Sequence, residues 1–136
     1  MDYAYPLAPV VGYVVAGGLK FVVNSVLDRR PALGRIGLGG AVSTHTTIVA
    51  TTAWLIGLRE GVDTPMFAVA LTLAAIVVID ALDLRRHIGG MASVLKVLHP
   101  GRSEVAALRH RLGHRPHEVA AGILVGFACA FALNWL

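Results

Sequence analysis

The sequence predicts an all-α chain built into a membrane: a bundle of about four transmembrane helices with a short cytoplasmic amphipathic helix. Three observations lead there. Hydrophobic residues make up 56% of the 136 residues and charged ones only 15%, for a mean hydropathy of +0.69. The apolar residues fall in runs, and about 20 such residues in succession are what a helix needs to cross a bilayer. The charges gather between the runs. At this length one domain covering 1–136 is expected.

The four runs are residues 6–27, 41–58, 65–82 and 118–136. The opening Met1-Asp2-Tyr3 lacks the positive flank of a signal peptide, so the first run is expected to stay as an anchor. The second is the least apolar, with Ser43, Thr44, His45 and four further threonines, and is expected to face protein or a polar cavity rather than lipid. Ten of the 12 Lys and Arg lie in the first and third connections: Arg29, Arg30 and Arg35, then Arg85, Arg86, Lys96, Arg102, Arg109, Arg111 and Arg115. The second connection has Arg59 against Glu60 and Asp63. The positive-inside rule then places the first and third connections in the cytoplasm and both termini outside, as in a bacterial inner-membrane protein.

The third connection, residues 83–115, is too long for a bare hairpin. Ser103, Glu104 and the apolar Val105, Ala106, Leu108 and Leu112 predict a short amphipathic helix, capped by Ser103 and ended by Gly113, on the cytoplasmic surface. No internal repeat supports an inverted-repeat transporter. The lone Cys129 lies in an apolar run, which excludes a disulfide framework and a thiolate metal site and leaves it a packing role. The net charge of +4 and pI near 9.8 point, in so apolar a chain, to anionic lipid headgroups rather than nucleic acid. Gly122 and Gly126 make a small-xxx-small pattern, suited to contact within the chain or to a homodimer.

Topology brings the polar residues of the spans to one end. Lys20 lies in the first, Ser43-Thr44-His45 opens the second, Asp80, Asp83, Arg85 and Arg86 close the third, and His114 and Glu118 open the fourth. Each has a plain alternative: snorkelling for Lys20, anchoring for the arginines, a satisfied core histidine for His45. The pair His114 and Glu118 says more. Pro116 suits a first helical turn. A spacing of four would then set the carboxylate beside the imidazole, raising the basicity of a nucleophilic nitrogen, although a carboxylate there also suits the helix dipole. A phosphate site would take cations from Lys20, Arg85 and Arg86, backbone N–H groups from Gly39-Gly40, His114 as nucleophile and His45 as acid. His110, His114 and His117 form no H-E-x-x-H pattern, so no metal and no cofactor is expected.

In this order the residues resemble the type 2 phosphatidic acid phosphatase superfamily, related to the vanadium haloperoxidases, and most closely its small divergent bacterial and plant branch. Lys20 with Arg30-Pro31 corresponds to its first motif at a longer spacing. Gly39-Gly40-Ala41-Val42-Ser43-Thr44-His45 is similar to Gly-Gly-x-Pro-Ser-Ser-His. Asp80-Ala81-Leu82-Asp83-Leu84-Arg85-Arg86 resembles Asp-Ala-x-x-x-Arg-Arg, and Leu112-Gly113-His114-Arg115-Pro116-His117-Glu118-Val119 resembles Leu-Gly-His-x-Pro-x-Glu-Val. Val42 departs from the usual proline, Thr44 from serine, and Met91 stands where a glutamine is common.

The resemblance implies in-line attack by His114 on a phosphomonoester, a phosphohistidine intermediate and its hydrolysis by water. His45 would protonate the leaving alcohol and Glu118 would orient His114. Lys20, Ser43, Arg85 and Arg86 would bind phosphate, supported by Asp80, Asp83 and Gly40, without metal. The substrate would be a phospholipid or polyprenyl phosphate; a cytoplasmic site favours phosphatidylglycerophosphate or phosphatidic acid. The alternative of a different class is a non-catalytic membrane protein that holds an anionic lipid headgroup with the same basic cluster.

Overall fold

The computed structural model describes residues 3–28, 41–108 and 113–136, and all the regular structure among them is helical. The elements are α1 (Ala4–Asp28), α2 (Thr44–Glu60), α3 (Pro65–Ile79), a π-turn (Asp80–Leu84), α4 (Arg85–Leu98), α5 (Ser103–Ala106) and α6 (Pro116–Leu133). Arg29, Arg30, Pro31, Arg35, Gly39, Gly40, Arg109, His110, Arg111 and Leu112 lie outside the described residues.

Among the described residues, three helical segments are long and apolar enough to cross a membrane: Ala4–Asp28, Pro65–Leu98 and Pro116–Leu133. The fourth expected span, α2, has 17 residues and packs against α1, α3 and α6. Its threonines explain how so polar a helix becomes the centre of the bundle. Thr47 Oγ1 donates to the Ser43 carbonyl (3.0 Å) and Thr51 Oγ1 to the Thr47 carbonyl (2.7 Å). Such back-bonding one turn up satisfies a hydroxyl without a partner helix, and Thr46, Thr47 and Thr51 are all buried.

Small residues let the neighbours close on this surface. The buried positions of α1 recur every four residues: Ala4, Ala8, Gly12, Ala16, Lys20 and Asn24. A Cβ at Gly12 would stand 2.7 Å from Thr51 Oγ1, and one at Gly126 would stand 2.6 Å from the Ala50 Cβ. Gly122 faces the Ser43 carbonyl in the same way, at 2.9 Å. The Gly122–Gly126 pattern is thus used inside the chain, against α2. At the far end Arg59 Nη2 donates to the Leu133 carbonyl (2.9 Å), satisfying an acceptor at the end of α6, and the Tyr5 hydroxyl bonds Glu60.

Two expectations for the third connection are corrected. The third helix does not stop at residue 82; it runs without a break through the π-turn to Leu98. The twenty residues 65–84 span about 30 Å at 1.5 Å each, the thickness of the hydrocarbon core. The amphipathic helix comes earlier than predicted, as α4, which carries Arg85, Arg86 and Lys96 and exposes Ile88, Met91, Leu95 and Leu98. The segment at Ser103 is a single turn. Arg102, not Ser103, precedes it as the cap residue, and it ends at Ala106, before Gly113.

Candidate functional site

The site end is organised by contacts between segments far apart in sequence. The first turn of α6 holds the start of α2, because the Ser43 N–H donates to the Glu118 carbonyl (2.9 Å). Ser43 caps α2: its Oγ accepts from the Thr46 N–H (3.4 Å) and from Thr46 Oγ1 (2.9 Å). It is fully buried, so its main work is local, and it sets Thr44 and His45 on the first turn.

The π-turn meets the residues before α6. The His114 N–H donates to the Ala81 carbonyl (3.0 Å). Gly113 has φ of +94°, a conformation that glycine adopts freely. A Cβ there would stand 2.5 Å from Arg86 Cγ and 3.1 Å from the Arg86 nitrogen. The Leu-Gly-His and Arg-Arg blocks are therefore in contact, and the glycine is what lets them touch.

These contacts enclose the His114 ring. Its charged neighbours are Glu118, Lys20, His45 and Arg85, while Asp80, Arg85 and Lys20 surround His45. Burial pushes the His114 imidazole below its ordinary value, and Glu118 partly opposes this. The carboxylate acts through space only. Glu118 Oε2 accepts from the Arg115 N–H (2.8 Å), capping its own helix, and makes no hydrogen bond to the imidazole. The four-residue spacing had suggested a direct bond, but helical geometry begins at Pro116, two residues too late for it.

Lys20 is 2% exposed and has no carboxylate within ion-pair reach among the described residues. A buried ammonium without a counter-ion is costly, and inside a membrane it marks a functional site by default. Three buried side-chain atoms also lack a hydrogen-bond partner: Asn24 Nδ2, Thr44 Oγ1 and His114 Nδ1. All three lie at the same end as Lys20. Asn24 was not singled out from the sequence; its place four residues after Lys20, on the same helix face, was the available signal.

The two arginines differ. Arg85 is partly buried and its Nε donates to Asp80 Oδ2 (2.6 Å), a bond that leaves the two terminal nitrogens unengaged. Arg86 is exposed and lines an outer cleft with Asp83, His87, Gly90 and Met91. Asp83 faces outward beside His87, at 3.2 Å. Lys20, His45, Asp80, Arg85, His114 and Glu118 are thus linked by electrostatic interaction at one end of the bundle, whereas Asp83 and the end of the Arg86 side chain face outward and Gly40 lies outside the described residues. Among the described residues no three His, Cys, Asp or Glu side chains converge as metal ligands do.

Known proteins resemble this chain along most of its length. An uncharacterised membrane protein of Bacillus subtilis (strain 168), YuiD, is 29% identical over 144 residues, which cover 94% of this chain and 89% of that protein. No solved structure matches. The family profile described as the divergent PAP2 family matches residues 4–129, and with them every site residue named above. The chain is an integral-membrane member of the divergent PAP2 family.

Proposed function

We propose that the chain, as a single domain over 1–136, is a metal-independent lipid phosphate phosphatase of the bacterial inner membrane. The observation that carries this reading is the buried Lys20, which makes no ion pair among the described residues and has only Glu118 as a more distant opposite charge, within electrostatic reach of the His114 imidazole. An anion with several acceptor oxygens answers such an ammonium and can lie against the other ring nitrogen, Nε2. Phosphate is such an anion, and a neutral imidazole next to it is a nucleophile.

With Nδ1 enclosed, attack falls to His114 Nε2. An N–P bond forms as the ester P–O bond breaks, and His45 gives its proton to the leaving alcohol. Water then attacks the phosphohistidine, returns a proton to His45 and releases inorganic phosphate. Lys20 and the terminal nitrogens of Arg85 neutralise the equatorial oxygens, the kind of fixed positive charge that stabilises such a transition state. Asp80 holds Arg85 by Nε; Ser43 and Glu118 hold the frame. Arg86 contributes through its contact with Gly113 rather than as the principal ligand. The charge asymmetry of the connections puts this site on the cytoplasmic side and both termini outside, which favours phosphatidylglycerophosphate or phosphatidic acid as substrate.

One observation favours a second reading, a non-catalytic binder of anionic headgroups: Glu118 is bonded to the Arg115 N–H and not to His114. Purified protein tests the two. Phosphate release from phosphatidic acid and phosphatidylglycerophosphate should be inhibited by vanadate and abolished in His114→Ala. Vesicle binding with no release from any lipid phosphate would establish the binder instead.

A further inference from the structure

An apolar groove of about 280 Å³ runs between α2 and α3, with Ile123 of α6 at its edge. Its walls are small where a lipid-facing helix has no need to be: Ala50 and Ala53 on α2 face Ala74 and Ala75 on α3. From Thr46 to Trp54 it covers nine residues of α2, eight steps and about 12 Å at 1.5 Å each. One end is closed by two rings. The Phe67 ring lies under Gly57, where a Cβ would stand 2.9 Å from its Cε2, and Trp54 is held edge-on by Phe127 with centroids 5.1 Å apart.

The other end stops at Thr46, the residue after His45. Thr46 lines the groove and also gives its hydroxyl to Ser43 Oγ, so one residue separates the apolar wall from the cap beneath Thr44 and His45. An occupant must therefore be apolar along its length and anionic at one end. The volume is below the range of about 300–1,000 Å³ typical of sites that enclose a whole small molecule. It suits a single hydrocarbon chain.

We infer that this groove takes one chain of the lipid whose phosphate lies at His114, and that Trp54 and Phe67 set the length of chain it accepts. The inference rests on the phosphatase reading for the identity of the headgroup site, but binding can be read without turnover. The probe is an alkyl phosphate carrying a mid-chain diazirine, added to the full-length protein in nanodiscs, with the matching alkyl alcohol as its neutral counterpart. The phosphate should label residues of α2 and α3 that line the groove. Ala74→Phe, and the smaller Ala75→Leu on the same wall, should cut that labelling about tenfold, whereas Leu73→Phe, which is 55% exposed and outside the lining, should not. His114→Ala should leave the labelled positions unchanged.

In parallel, the ratio of wild-type to Ala74→Phe kcat/KM should be near one for butyl phosphate and rise about tenfold toward dodecyl phosphate. Equal labelling by the alcohol, or labelling and kcat/KM ratios indifferent to both alanine variants, would mean that the groove holds only bulk lipid and would overturn the inference. Groove labelling that depends on the phosphate, with no turnover of any substrate, would uphold it and remove the phosphatase reading alone.

Discussion

Replacing Gly113 tests whether the block before α6 is held by geometry or only by proximity. Three glycines among the described residues have positive φ at nearly the same angle: Gly61 (+90°), Gly101 (+95°) and Gly113 (+94°). A Cβ at Gly61 or Gly101 meets nothing within 4 Å, whereas at Gly113 it meets Arg86 Cγ at 2.5 Å, the Arg86 nitrogen at 3.1 Å and its Cα at 3.3 Å. Gly61→Ala and Gly101→Ala therefore carry the backbone cost alone, about 1–3 kcal/mol for an L-residue in a conformation that favours glycine. Gly113→Ala adds overpacking against a helix backbone, for which about 1–3 kcal/mol is typical.

The extra cost falls next to His114, the proposed nucleophile. If the block can relieve it only by releasing the His114 N–H from Ala81, each 1.4 kcal/mol lowers the competent population about tenfold. Phosphate release by Gly113→Ala should then fall about 10- to 100-fold, with the Gly61 and Gly101 variants near wild type. Unfolding in detergent, followed by tryptophan fluorescence, should rank Gly113→Ala below both controls whether or not turnover is measurable. Gly113→Asn separates the two costs, because asparagine tolerates positive φ but keeps the Cβ; it should recover only part of the loss. A Gly113→Ala protein as stable as Gly61→Ala and as active as wild type would refute the contact with Arg86.

Burial holds the His114 imidazole below its ordinary value of 6.5, so the neutral nucleophile persists into mildly acid solution and the acid limb of kcat/KM should lie below pH 6.5. Glu118 raises that value, so Glu118→Gln should move the limb to still lower pH; a limb at higher pH in the variant would contradict the through-space assignment. Asp80→Asn removes the carboxylate from Arg85 Nε and should raise KM several-fold with a smaller change in kcat; an unchanged KM would separate Arg85 from phosphate binding. Gly126→Leu should lower stability by about 1–3 kcal/mol or more, since its Cβ would already be 2.6 Å from that of Ala50, while Gly17→Ala, with open space around it, should be neutral or stabilising in the same unfolding assay.

The helical class was legible because apolar runs and charge segregation are properties of composition along the chain, and Lys20, His45 and His114 were legible because ionisable residues at membrane depth need a reason. The extent of the third helix was not. Asp83, Arg85 and Arg86 look like the polar end of a span, yet a helix does not require burial to continue, and α4 goes on in the same direction with Gly89 and Ala92 as its only buried residues. Glu118 was read as a partner of His114 from its spacing and from the family resemblance, neither of which shows the backbone between them. The residues between them set the outcome: Pro116 starts the helix, and the open N–H of Arg115 lies nearer to the carboxylate than the ring does. Asn24 was missed because an amide in an apolar run carries no motif; only the four-residue rhythm of buried α1 positions ties it to Lys20.

The π-turn explains why a motif that reads as two separate blocks works as one. In a regular α-helix side chains meet at spacings of three and four, and residues five apart point well away from each other. A π-turn widens the helix to i→i+5 bonding, seen here as the Arg85 N–H on the Asp80 carbonyl, and so brings the Asp80 and Arg85 side chains onto one face, at 2.6 Å. The same distortion leaves the Ala81 carbonyl available to the His114 N–H. Arg86, one residue further and about 100° around the axis, cannot share that face. Its backbone instead supports Gly113. On the proposed reading the two adjacent arginines take different tasks, one toward a phosphate and one beneath the loop of the proposed nucleophile, and a substitution of each should fail differently: Arg85→Lys in KM, and Arg86→Lys hardly at all as long as the Gly113 contact survives.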